Sequence, residues 1–164
     1  AYPKVQVTVR CEPTSLLVPA LAKGELDLAL VNGTDKDDDI IMHDPAVWVT
    51  SAKHLTHEED PLPLAVFPAE CVFRKWSLEA LDSINRAYRV AYQSPSVAGI
   101  LATVSAGLAV SILLASVVPK EFRVLGKEDG FPELPTAKIV IRHAPGPKSE
   151  AVDCMAQYLR EGIQ

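Results

Sequence analysis

Residues 5–31, VQVTVRCEPTSLLVPALAKGELDLALV, and residues 88–113, YRVAYQSPSVAGILATVSAGLAVSIL, carry nearly the same pattern. Each reads as a β-branched strand, a turn of proline and hydroxyl residues, a short amphipathic helix ended by glycine, and a second apolar strand. That is two βαβ units. In the first, a strand at 5–10 leads into a helix at about 15–23 with Leu16, Leu17, Ala20 and Leu21 inward, Gly24 just past its end, and a strand at 27–31. In the second, Val97, Ile100, Leu101 and Val104 fall at i, i+3, i+4 and i+7 on the helix, and Gly107 ends it. The hydroxyls of Thr14, Ser15, Ser94 and Ser96 therefore lie beside backbone N–H groups at the positive end of a helix dipole. Two such turns facing one another across a cleft would receive a small anionic molecule.

The bulk composition is that of an α/β chain able to bury a core as one domain or two small lobes: 164 residues, 48% hydrophobic and 23% charged. A net charge of −5 offers no basic surface for nucleic-acid phosphates, so this segment is not expected to read DNA by itself. The longest apolar stretch, 108–118, is shorter than the ~20 residues of a bilayer span and is interrupted by Ser111 and Ser116, so no membrane partner is expected. Cys11, Cys71 and Cys154 are odd in number and without metal spacing, which favours reduced structural thiols in the cytoplasm. No signal-like segment opens the chain, and AYPKVQVTV reads as a helix end entering a strand.

Along the rest of the chain, GTDKDDD at 33–39 reads as a solvated loop, and 40–50 as an extended run ending in Ala46-Val47-Trp48-Val49. A strand at 64–67 precedes a helix at 70–85, with Phe73, Trp76, Ala80 and Ile84 on one face and Asn85 closing it. A strand at 122–125 is followed by GKEDGFPELP, a loop of turn formers, and by a strand at 137–142. Ser149 caps a last helix carrying Val152, Met155, Ala156, Leu159 and Ile163. This order predicts a lobe built from both chain ends, residues 1–45 plus 135–164. A second lobe at 51–125 is inserted into it, with crossings at 46–50 and 126–134.

YPKVQVTV…LLVPALAKGELDLALV resembles the first regulatory lobe of LysR-type transcriptional regulators, and PLPLAVF…CVFR…YRVAYQSPSVAGILATVSAGLAVSIL…FRVL…FPELP resembles their second lobe. The likeness covers essentially the whole chain. CVFR with RVAYQSPS and GFPELP is similar more narrowly to the LrhA/HexA-like branch. The resemblance implies a type 2 periplasmic-binding-protein-like α/β fold, each lobe a mixed sheet flanked by helices. The first strand and helix of lobe I would be missing from this chain. It implies a small-molecule effector, self-association, and DNA binding only through an N-terminal winged helix-turn-helix outside these residues. Effector contacts would fall at Pro13, Thr14 and Ser15 in one lobe and at Ser94, Pro95, Ser96 and Val97 in the other. The segment 70–74 would be another cleft-facing stretch, from which Arg74 could clamp a carboxylate with two donors.

Duller readings stand beside these. Ser15 and Ser96 read equally well as helix N-caps, and Arg74 as a solvated or ion-paired helix residue. Cys71 beside a helix start could be an activated thiol, but no histidine has the spacing to activate it, and packing is the simpler account. Asp35, Asp37, Asp38 and Asp39 lack EF-hand spacing, His54 and His57 with Glu58 and Glu59 do not make a zinc helix, and no GxSxG elbow accompanies the serines. No metal, cofactor or catalytic residue is expected. The competing functions are an extracytoplasmic solute-binding protein and an enzyme on the same scaffold, and the scattered cysteines speak against the first.

Overall fold

The computed structural model describes residues 5–34, 36, 39–147 and 149–162. In chain order its elements are α1 (Thr14–Ala22), β1 (Leu28–Asn32), β2 (Ile40–Ser51), β3 (Leu62–Val66), α2 (Val72–Ser83), β4 (Tyr88–Gln93), α3 (Val97–Ser105), β5 (Ser111–Leu114), β6 (Phe122–Leu125), β7 (Thr136–His143) and α4 (Glu150–Gly162). The chain divides into two compact units, Ala1–His43 with Ala137–Gln164, and Asp44–Thr136.

In the first unit β1 runs antiparallel to β7, with Leu30 opposite Ile141. Leu17 and Leu21 of α1 pack with Ala29, Val31 and Val140 to form its core. Of the predicted inner face Leu17, Ala20 and Leu21 are buried, whereas Leu16 is 52% exposed. The helix ends as its sequence demands. Gly24 takes a positive φ of 73°, its N–H donates to Leu21 O at 3.0 Å, and the Glu25 N–H donates to Ala20 O at 3.0 Å. Ser149 Oγ accepts the Val152 N–H at 3.3 Å and opens α4, on which Ala156 is buried and Val152, Met155 and Leu159 are half-buried. Ile163, Asp35, Asp37 and Asp38 lie outside the described residues.

The predicted strand at 5–10 is a correction. These residues belong to no strand and pair with no described strand, and Val5, Val7 and Val9 are 46%, 61% and 77% exposed. Alternation gives a segment the propensity for a strand, but only a hydrogen-bonded neighbour makes it one. Within the described residues the first βαβ unit is therefore a helix followed by a strand.

In the second unit β3 and β4 are parallel, with Val66 beside Gln93. On its other side β3 meets the chain at Val110, whose N–H donates to Pro63 O at 2.8 Å and whose carbonyl accepts the Ala65 N–H at 2.9 Å. Parallel neighbours need crossovers, and α2 and α3 supply them. β2 pairs antiparallel with both β5 and β6, so Trp48 faces Ile112 on one side and Leu125 on the other. Two apolar clusters fill the unit: Trp48, Leu62, Leu64, Leu81 and Phe131 with α2, and Val49, Ala65, Ile100, Val104 and Leu113 with α3.

The helix expected over 70–85 is shorter, Val72–Ser83, and Ile84 is 43% exposed because it lies past the last turn. Ser77 and Leu81 are its most buried residues, with Phe73, Trp76 and Ala80 packed alongside. Asn85 closes it at φ 54°, with the Arg86 N–H on Leu81 O at 3.1 Å.

The turn-rich segment 126–135 is an anchored element, not a free loop. Phe131 is 2% exposed, its ring centre 5.4 Å from that of Trp48 and 4.4 Å from the Arg86 guanidinium carbon, and Trp48 Nε1 donates to Pro132 O at 2.9 Å. Asp129 accepts the Gly126 N–H at 3.0 Å and pairs with Arg123, and these contacts, the backbone bond first, hold its carboxyl below the usual range. Replacing Phe131 with alanine should cost about 3–5 kcal/mol of unfolding free energy, while Lys127→Ala should stay within about 0.5 kcal/mol. Urea titration checks both, and a Phe131 variant as stable as the parent would show that the segment is not anchored by its ring.

Candidate functional site

Parallel pairing of β3 with β4 sets the local geometry. Both crossover helices must start at the carboxyl ends of their strands, so α2 and α3 begin on the same edge of the second unit. The ladder runs to its last rung there, with the Ser94 N–H donating to Val66 O at 3.1 Å. Ser94 Oγ then accepts the Ser96 N–H at 3.1 Å and donates to Ser96 O at 3.2 Å, closing a tight turn. Ser96 occupies the N-cap position of α3, with φ −98° and ψ 130°, but its own hydroxyl makes no capping bond and its side chain is exposed. Among the described residues no protein acceptor meets the N–H groups of Val97, Ala98 or Gly99, and the first turns of α2 and α3 hold no acidic residue.

Arg74, the third residue of α2, donates from its guanidinium to Gln93 Oε1 at 2.8 Å. It makes no ion pair with a described carboxylate, although Lys75 beside it pairs with Glu79 at 3.7 Å. The partner is a neutral amide, so the charge of Arg74 is oriented without being neutralised. The structure thus brings Arg74, Ser94, Ser96 and Val97, the last 44% exposed, to one edge. Gln93 joins them unannounced by the sequence. Its position as the last strand residue before SPS was readable, but its place beside Arg74 comes from the pairing of β3 with β4.

The two first-unit candidates stand differently. Thr14 Oγ1 accepts the Asn32 N–H at 3.2 Å and ties the start of α1 to the end of β1. Pro13 holds the N-cap position, so Ser15 is the second helical residue, and the expectation that it caps the helix is corrected by two residues. Its side chain is exposed.

Cys71 precedes α2 and is half-buried. Burial pushes its thiol up from the ordinary value, against a smaller downward pull from the N–H groups of Phe73 and Arg74. A thiol so held stays protonated at neutral pH and is a poor nucleophile. Ser51 Oγ lies 3.0 Å from His54 Nδ1 but also accepts the Lys53 N–H at 3.3 Å, and no described carboxylate orients the ring, so this pair lacks the third member of a triad among the described residues. Asp39, the described end of the acidic loop, pairs with Arg160 at 2.5 Å. A separate groove of about 240 Å³ lies between β2, β6 and the anchored segment, lined by Trp48, Leu125, Lys127, Phe131 and Glu133, and holds none of the candidate residues. Iodoacetamide at neutral pH should modify the exposed Cys11 well before Cys71, as read by peptide mass mapping. Faster labelling of Cys71 would contradict the protonated-thiol assignment.

Comparison with known proteins defines the class. The whole chain, residues 1–164, matches the LysR substrate binding domain, and the chain belongs to that family. It is 30% identical over 161 residues to the HTH-type transcriptional regulator DgdR of Burkholderia cepacia, covering 97% of this chain and 55% of that protein. Its fold is similar to the CcmR regulatory domain of Synechocystis PCC6803 in complex with 2-PG, with TM-score 0.71, 17% identity and coverage of 99% of this chain and 86% of that one. It is also similar to the effector binding domain of QuiR in complex with shikimate, with TM-score 0.63, 16% identity and coverage of 92% and 78%. The fold is the type 2 periplasmic-binding-protein-like α/β fold, with mixed sheets and flanking helices. The chain spans about half the length of the curated relatives it matches. No described helix is long and apolar enough to cross a membrane.

Proposed function

We propose that this effector-binding domain senses a small carboxylate for a LysR-type transcriptional regulator of the LrhA/HexA-like branch. The candidate ligand contacts are Arg74, Ser94, Ser96, Val97, Thr14 and Ser15. Lobe I comprises 1–45 plus 135–164 and lobe II 51–125, with crossings at 46–50 and 126–134. The regulator reads DNA through a winged helix-turn-helix outside this chain and self-associates. The chain performs no catalysis in this reading.

One observation carries it: a guanidinium held by a neutral amide, beside a helix start whose Ser96 hydroxyl and first N–H groups have no acceptor among the described residues. Fixed donors and an uncancelled positive charge suit an anion, and a planar carboxylate matches the guanidinium fork. The relative QuiR was solved with shikimate, itself a carboxylate, which supports the class of ligand. Regulation needs only that the ligand favour one conformation over another by about 1–3 kcal/mol.

Ser96→Ala in the full-length regulator should abolish or sharply weaken the response of a reporter driven by its own promoter. The stability change should stay within about 0.5 kcal/mol, because the hydroxyl makes no capping bond. A well-folded regulator that keeps its full response with both Ser15→Ala and Ser96→Ala would refute the assignment of these turns.

A further inference from the structure

Gly99 is the third residue of α3, and its backbone lies outside the left-handed region that would demand glycine. Glycine is among the weakest helix formers, so its presence in the first turn needs a reason other than conformation. Space supplies it. A Cβ on residue 99 would stand 2.4 Å from Ser94 Oγ and 3.1 Å from Ser94 Cβ, distances that force the serine to move. That same hydroxyl accepts the Ser96 N–H at 3.1 Å and donates to Ser96 O at 3.2 Å.

We infer that Gly99 is a positioning residue: its missing side chain lets the Ser94 hydroxyl lie against the first turn of α3, where it fixes Ser96 for the ligand. The inference rests on the carboxylate-binding reading above and deepens it. Gly99 touches no ligand and acts only through Ser94. Rotating the Ser94 hydroxyl away relieves the 2.4 Å contact but leaves the 3.1 Å contact to Cβ, so the turn itself must shift. Ser96 then loses the acceptor of its N–H, and the backbone that carries its exposed hydroxyl loses its placement.

A glycine that is merely tolerated makes a different forecast. Gly99→Ala would then improve the helix and leave Ser96 as it was. Amide hydrogen exchange at Ser96 and the affinity for sodium formate at constant ionic strength, both measured on the full-length regulator, separate the two. Gly99→Ala should speed exchange at Ser96 by about tenfold and weaken formate binding by about tenfold, the size of one lost hydrogen bond. Ser94→Ala should do the same, and the double variant should be no worse than either single one, because both remove one contact. Exchange at Ser96 within twofold of the parent in Gly99→Ala overturns the inference, and so does faster exchange with unchanged formate affinity. A parent protein that takes up no formate removes the carboxylate reading and this inference with it, and the exchange data still show that outcome apart from a failure of the packing argument.

Discussion

The rung that sets Val66 beside Gln93 governs the arrangement of the second unit. Two parallel strands cannot be joined by a hairpin, so each must be followed by a helix that carries the chain back along the sheet. The helices consequently begin at the same edge, and Arg74 of α2 meets the strand end that precedes α3. Burial enforces the rung. Leu62, Leu64 and Val66 are almost wholly inaccessible, each removing apolar area worth about 1.5–3 kcal/mol, while Ala65 between them packs into the other apolar cluster, so the strand is covered on both faces. The site is thus a consequence of packing that has nothing to do with a ligand.

Charge is distributed against the molecule's average. The chain carries −5, and several of its exposed cations face carboxylates: Arg10 with Glu12, Lys75 with Glu79, Lys127 with Glu133. Arg74 faces Gln93 instead, at an edge where two helices begin without an acidic residue in their first turns. An amide orients the guanidinium through one hydrogen bond, yet leaves its charge for another partner. The proposed anion would meet that uncancelled charge.

Local chemistry made the helix ends readable from the sequence. Gly24, Asn85, Gly107 and Ser149 each close or open a helix where their residue types predict, because a cap depends on neighbours within one turn. The strand at 5–10 failed for the opposite reason: Val5, Val7 and Val9 alternate correctly, but a ladder needs a partner that the segment does not itself encode. Phe131 was hidden in a run of turn formers because its partners Trp48 and Arg86 are distant in sequence. Arg74, Ser94 and Ser96 could be singled out by type and position, whereas Gln93 and the space left by Gly99 emerge only once the chain is folded.

The central claim is that the edge formed by Arg74, Ser94 and Ser96 receives an anion, and diffraction from crystals soaked in bromide tests it most directly. The account predicts an anomalous peak within hydrogen-bonding reach of the Arg74 guanidinium and the Ser96 hydroxyl or the N–H groups that follow it. A well-ordered crystal with this edge open to solvent and its bromide peaks all elsewhere would contradict the account.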